Sequence, residues 1–295
     1  MIKVTVFTPT YNRADLLVNL YKSLLNQSDK NFIWLIIDDG STDNTKDVVE
    51  EFKKNADFQI RYIYKENGGL HTGYNEAIKN LDTELSVCID SDDKMPEKAI
   101  EKIYKFWNEN GNENVAGIVA LDSNDKGEII GDLLPNIKNI NLIDLLVGKY
   151  NIINGDRKNV VRSDLYKEVA PMDSINGEKN FNPHYLHLKI SLKYDFLVLN
   201  ESLCIVEYQQ EGMSNSIYKQ FYNSPNSFIE IRKLYLSFEN APFKFKLRHS
   251  IHYISSCFIA KRKNKIKDAP IKYLAVLAYP FGFILSKYIK YKACK

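Results

Sequence analysis

The densest concentration of chemistry in this sequence is Asp90-Ser91-Asp92-Asp93, three carboxylates within four residues, placed directly after the apolar run Leu85–Ile89. Such groups repel one another at neutral pH, and a divalent cation is an economical way to offset the charge. Oxygen-only donors suit Mg²⁺ or Mn²⁺, which commonly bridge one or two carboxylates to the oxygens of a diphosphate. A second acidic cluster, Asp38-Asp39-Gly40-Ser41-Thr42-Asp43, follows the apolar run Phe32–Ile37. Gly40 permits a sharp turn, Ser41 or Thr42 can cap the next helix, and Asp39 can accept hydrogen bonds from a base or a ribose. Two further polar interruptions are Thr8-Pro9-Thr10-Tyr11-Asn12-Arg13 and Asn67-Gly68-Gly69, the latter followed by Asn75.

These clusters need elements to position them. Ile2–Thr8, Phe32–Ile37, Ile60–Tyr64 and Leu85–Ile89 read as strands. Ala14–Gln27, Asn44–Lys54, Leu70–Lys79 and Ala99–Trp107, the last opened by Pro96, carry helical spacing. Strand and helix alternating in this way predict βαβ units and a mainly parallel sheet. Each polar cluster then falls at the carboxyl end of a strand, the edge where open α/β sheets bind ligands. Beyond residue 115 the pattern loosens. Val115–Leu121, Asn159–Arg162, Phe196–Leu199 and Leu203–Tyr208 read as strands and Tyr185–Leu192 as a helix.

With all four clusters in view, the order and spacing of Thr8–Arg13, DDGSTD at 38–43, NGG at 67–69 and DSDD at 90–93 resemble the family-two nucleotide-sugar glycosyltransferases. A weaker similarity, through Gly177-Glu178-Lys179-Asn180-Phe181, Val206-Glu207-Tyr208 and Gly212-Met213-Ser214, points to a bacterial capsule, exopolysaccharide and O-antigen branch. The resemblance implies a GT-A fold, an α/β architecture with a Rossmann-like, mainly parallel sheet flanked by helices. Its nucleotide-sugar-binding half would be residues 1–95 and its acceptor half residues 96–241. It also implies inversion at the anomeric carbon of a nucleoside-diphosphate sugar, most often a UDP-sugar. By position, Pro9 and Tyr11 would line the nucleotide pocket and Asp39 would read the base. Asp90 would bind ribose or metal-bound water, and Asp92 would ligate Mn²⁺ or Mg²⁺, assisted by Asp93. Thr8, Arg13, Gly69, Asn75 and Ser91 complete the expected nucleotide-sugar-binding set. The implied acceptor is a glycan or a saccharide on a polyprenyl diphosphate, in cell-surface polysaccharide synthesis.

Inversion needs a general base within hydrogen-bond reach of the acceptor hydroxyl. Many family members take it from an acidic pair, and none occurs between 165 and 195. Glu178 is the expected base, with His184, whose unperturbed pKa suits proton transfer at neutral pH, as the alternative. The altered base region also admits a catalytically inactive, sugar-nucleotide- or glycan-binding relative. A nucleotidyltransferase is disfavoured, because Thr8–Arg13 contains no glycine for a phosphate loop.

The net charge of +3 conceals a division. Residues 242–295 hold 13 Lys and Arg against one acid, Asp268, while the remainder of the chain holds 27 bases and 36 acids. A basic segment of this kind meets an anionic partner. Tyr273–Leu285 is uncharged but too short to span a bilayer, and Pro280 and Gly282 are expected to interrupt it. An interfacial or re-entrant segment fits, with Lys287, Lys290 and Lys292 reaching anionic headgroups. No nucleic-acid-reading motif accompanies the basic residues, so no nucleic-acid partner is expected. The expected place is peripheral, at the cytoplasmic face of the cell membrane. Cys88, Cys204, Cys257 and Cys294 show no CxxC spacing, and no leader sequence is expected.

Overall fold

The computed structural model describes residues 3–152, 155–173, 175, 177–207 and 217–295. Ile2, Tyr208 and Gly212-Met213-Ser214, which enter the sequence expectations, lie outside them. The chain divides into two compact units, Met1–Met172 with Leu186–Gln209, and Asp173–Tyr185 with Gln210–Lys295.

The first unit opens with β1 (Val4–Thr10), α1 (Ala14–Leu25), β2 (Phe32–Asp38) and α2 (Thr45–Asn55). It continues with β3 (Gln59–Tyr64), α3 (Leu70–Lys79), β4 (Leu85–Cys88) and α4 (Ala99–Asn110). All eight agree with the sequence expectation to within a few residues. Their strands run parallel in the order β3-β2-β1-β4, with Thr10 opposite Asp38 and Asp38 opposite Tyr64. Every residue of β1 and β2 is buried, as strands covered on both faces must be. β3, at the edge, is only partly buried. Tyr21 of α1, Trp34 of β2 and Phe52 of α2 stack in the core on one side of the sheet.

The second part of the sheet mixes direction. It adds β5 (Val115–Ser123), β6 (Asn139–Ile140), β7 (Arg157–Arg162) and β8 (Asp195–Ile205), extending the order through β4-β7-β5-β8-β6. β7 is antiparallel to both β4 and β5, whereas β5 and β8 are parallel. Between these strands lie α5 (Leu142–Leu146), α6 (Ser163–Val169) and α7 (His184–Ser191). Phe196–Leu199 and Leu203–Tyr208 were expected as two strands, yet one strand, β8, runs through both. Val119 faces Val198 but Leu121 faces Ser202, so Leu199, Asn200 and Glu201 stand opposite Ala120 alone and are absorbed as a bulge. The Asn200 amide supports the bulge by pairing both ways with the backbone of Leu134.

The second unit is helical: α8 (Ile217–Asn223), α9 (Pro225–Leu236), α10 (Phe243–Ile259) and α11 (Lys272–Ala293). Its core gathers Ile229, Leu236, Tyr253, Ile254, Cys257, Ala275 and Ala278. Here the expected interruption at Pro280 and Gly282 is corrected, because α11 continues through both for 22 residues. Pro280 lies on the exposed side, and Gly282 lies where α11 meets α10. A Cβ at Gly282 would sit 2.6 Å from Cγ2 of Ile254. Packing of this buried stripe on α10 outweighs local propensity. No helix among the described residues is long and apolar enough to cross a membrane.

Candidate active site

Because β3, β2, β1 and β4 are neighbours and parallel, the four polar clusters emerge side by side at one edge of the sheet. They are also bonded to one another. Asn12, held at φ 51°, donates its backbone N–H to Ser41 Oγ at 2.9 Å. Its Oδ1 accepts from the Thr42 N–H at 2.7 Å. Asp43 accepts from the Ala14 N–H at 3.2 Å and from Thr45, joining the loop after β2 to the starts of α1 and α2. Gly40, at φ +83°, allows this approach, since a Cβ there would meet Asn67 N at 2.7 Å.

Asp39 is the hub of the NGG loop. Its carboxylate accepts from the backbone N–H of Gly68 at 3.0 Å and of Gly69 at 2.7 Å. It also accepts from Asn67 Nδ2 and is paired with Lys65 Nζ. A buried carboxylate collecting this many donors is a structural organiser. Reading a base would be added to that task, with Lys65 the most readily displaced partner because it is a flexible side chain.

The acidic turn after β4 is held by two of the protein's own cations. Arg13 Nη1 lies 3.2 Å from Asp92 Oδ1 and donates to Ser91 Oγ at 3.2 Å. Lys158, on β7, lies 3.5 Å from Asp93 Oδ2, which also accepts from Cys204 Sγ at 3.4 Å. Burial raises the Asp92 carboxyl above its usual range, opposed by Arg13 and aided by Asp90. Burial likewise pushes Asp93 up to about 6, against the pull of Lys158 and with the push of Asp90 and Asp92. Asp90 stays exposed at the tip. The repulsion anticipated from sequence is therefore present, and it is already partly neutralised. Lys158 gave one sequence signal that went unread: a lysine in a strand whose neighbours Val160 and Val161 are fully buried. Behind it sits Asp122 on β5, which burial pushes up to about 6 and whose Oδ1 receives no hydrogen bond.

Several expected ligand contacts have other work. Thr8 is fully buried, donating to the Ile89 carbonyl at 2.8 Å and accepting from Trp34 Nε1 at 3.0 Å. It ties β1 to β2 and to the end of β4 rather than facing the rim. Asn75 pairs both ways with the backbone of Met172, each bond 2.8 Å, so its amide brackets two segments of the protein. Pro9 is buried against Gly73 of α3. Tyr11 is 46% exposed, a large ring on the rim. The exposed and half-exposed groups brought together are thus Tyr11, Arg13, Asp90 and Asp92.

The donor set fits a divalent cation in part. Asp90 and Asp92 offer hard oxygen ligands, and among the described residues no group of three His, Cys, Asp or Glu is disposed to hold an ion by itself. Two carboxylates with remaining positions left to phosphate and water is the usual arrangement for Mg²⁺ at a nucleotide.

Glu178 and His184 belong to the second unit. Glu178 is buried, and its oxygens accept from Asn226 N and Nδ2, both 2.8 Å, and from Ser227 N and Oγ, both 2.7 Å. These are the first-turn donors of α9, so Glu178 caps that helix from outside the segment. That leaves no lone pair directed elsewhere. Burial pushes His184 down to about 4, which keeps its imidazole neutral at physiological pH.

Comparison with known proteins bears on the fold and the family. Poly(ribitol-phosphate) beta-N-acetylglucosaminyltransferase TarP of Staphylococcus aureus is 27% identical over 247 residues, 76% of this chain and 74% of that one. The GalNAc(5)-diNAcBac-PP-undecaprenol beta-1,3-glucosyltransferase of Campylobacter jejuni is 30% identical over 155 residues, 51% of this chain and 50% of that one. The match spans only 18%, 18% and 15% of three longer curated glycosyltransferases. Among solved structures, S. aureus TarS 1-349 in complex with UDP-GlcNAc has a TM-score of 0.60 at 20% identity, covering 90% of this chain and 77% of that one. Mannosyltransferase PcManGT from Pyrobaculum calidifontis, in complex with GDP-Man and Mn²⁺, has a TM-score of 0.58 at 16% identity, covering 99% and 83%. Likeness at these identities shows the fold, which is GT-A. Residues 5–167 match Glycosyl transferase family 2, and the chain belongs to that family.

Proposed function

We propose that this protein transfers a sugar, with inversion, from a uridine-diphosphate sugar to a glycan or lipid-linked saccharide acceptor in cell-surface polysaccharide synthesis. It works peripherally at the cytoplasmic face of the membrane. The observation that carries the reading is the bonded rim of four loops, with Asp92 paired to Arg13, Asp90 exposed on the same turn and the ring of Tyr11 exposed at the same sheet edge. TarS, of the same fold, was solved with UDP-GlcNAc, and the Campylobacter relative is named for an undecaprenol-linked acceptor. Both curated relatives are named for β-linked products, which inversion of an α-linked nucleotide sugar gives.

In this proposal Tyr11 packs against the base and Asp39 accepts from it, while the Gly68 and Gly69 turn keeps the loop close. Asp90 and Asp92 would hold Mn²⁺ or Mg²⁺. When bound, the cation offsets the negative charge that develops on the departing nucleoside diphosphate. Arg13 swings between Asp92 and the diphosphate, two anionic partners for one guanidinium. Lys158 fixes Asp93 and so the backbone of the turn.

Incubation with a panel of UDP-sugars and Mn²⁺, following UDP release and the anomeric configuration of the product by NMR, tests the reading. UDP release with a β-linked product is expected. An α-linked product, or no turnover with any acceptor extract, overturns it.

A further inference from the structure

α11 presents two unlike faces. Ala275, Ala278, Gly282 and Ser286 are buried. Opposite them Tyr273, Leu277, Pro280, Ile284, Tyr288 and Tyr291 recur at intervals of three and four residues and are all exposed. Tyr273 and Ile284 are 67% and 66% exposed, values unusual for large apolar side chains on a packed helix. From Tyr273 to Leu285 no charge interrupts this face, although Val276, Phe281 and Phe283 widen it. A contiguous apolar patch of this kind marks an interaction surface.

The lysines around it are arranged, not scattered. Lys287 Nζ lies 5.3 Å from the Phe283 ring centroid, Lys292 Nζ 5.9 Å from Tyr288 and Lys295 Nζ 4.6 Å from Tyr291. From the loop after α10, Lys265 Nζ lies 4.8 Å from Phe258, itself in edge contact with Tyr279 and Phe283. An apolar, aromatic face bordered by ammonium groups is what a helix needs to lie in a bilayer interface, its rings among the acyl boundary and its cations at anionic headgroups. The helix is about 33 Å long at 1.5 Å per residue, and no helix among the described residues qualifies as a span. A second copy of the chain is the competing occupant. It would bring together two segments each holding 13 bases and one acid, so like charge opposes it.

We infer that this face of α11 seats the protein on an anionic lipid surface, with the helix axis in the membrane plane. The inference deepens the membrane-side placement proposed above by naming the surface and its lipid charge. Its consequence is that acceptor encounter becomes two-dimensional.

The test is co-sedimentation of the full chain with phosphatidylglycerol–phosphatidylcholine vesicles and with phosphatidylcholine alone, beside a UDP titration in solution. Two variants accompany it, Leu277→Glu with Ile284→Glu, and Lys287→Gln with Lys290→Gln and Lys292→Gln. All five side chains are exposed, so folding should persist, and circular dichroism checks it. Binding to the anionic vesicles is expected, at least tenfold weaker in both variants and reduced by salt, with UDP affinity unchanged. Absence of vesicle binding, equal binding by the variants, or a concentration-dependent dimer lost in Leu277→Glu/Ile284→Glu overturns the inference. Loss of UDP binding in the unaltered chain would instead strike the donor reading and leave the vesicle result standing.

Discussion

Glu178 shows how distant hydrogen-bond partners decide what a side chain does. From sequence alone Glu178 was the expected base. Its oxygens instead take four bonds from the first turn of α9, a segment nearly 50 residues later. No local pattern announces a cap supplied from so far away. Glu178→Gln exchanges an acceptor oxygen for a donor facing Ser227, and should lower stability by about 1–3 kcal/mol. Turnover by the folded protein should survive it, because the four bonds give Glu178 a structural task. Denaturant unfolding and steady-state kinetics of the variant check this. A folded Glu178→Gln enzyme without activity would return the base to Glu178. Thr8 and Asn75 teach the same lesson at the rim, where motif membership gave position but not which way the hydroxyl and the amide point.

At the scale of elements, the first eight were legible because each is buried by one face or two, and burial writes itself as periodicity. Ala14–Leu25 and Leu70–Lys79 are clean instances. The later elements were harder for physical reasons. β6 is two residues long, and β8 hides a polar bulge that reads as a turn. α11 keeps Pro280 and Gly282 because contact with α10 overrides propensity. The elements also differ in their response to acid. Burial depresses His184 to about 4, and burial together with neighbouring Arg232 depresses His249 to about 3 and His252 to about 4. Each binds a proton more readily unfolded than folded between pH 6.5 and its folded value. The stability they contribute is present above pH 6.5 and lost as pH falls toward 4. Asp93 and Asp122, raised to about 6, act oppositely in the sheet unit, contributing below pH 3.8 and losing that contribution as pH rises through 6. Hydrogen exchange at pH 7 and pH 4.5 should therefore show α10 losing protection before β5 and β7. Loss in the reverse order would contradict it.

For the whole molecule, the sequence carried the family, the GT-A class and the four-cluster rim, since topology forces loops after adjacent parallel strands to meet. It did not carry the cations behind the acids. Lys158 reaches Asp93 only because β7 runs antiparallel beside β4, a pairing of distant segments. The central claim is that Asp90 and Asp92, on a turn that Arg13 holds through Asp92 and Lys158 through Asp93, bind a nucleoside diphosphate together with a divalent cation. Calorimetric titration of UDP into the protein, with and without Mn²⁺, tests it most directly, with Asp92→Ala as the control. The account predicts UDP binding at least tenfold tighter with Mn²⁺, and no Mn²⁺ effect in Asp92→Ala. Equal affinity with and without Mn²⁺, or an undiminished Mn²⁺ effect in the variant, would contradict it.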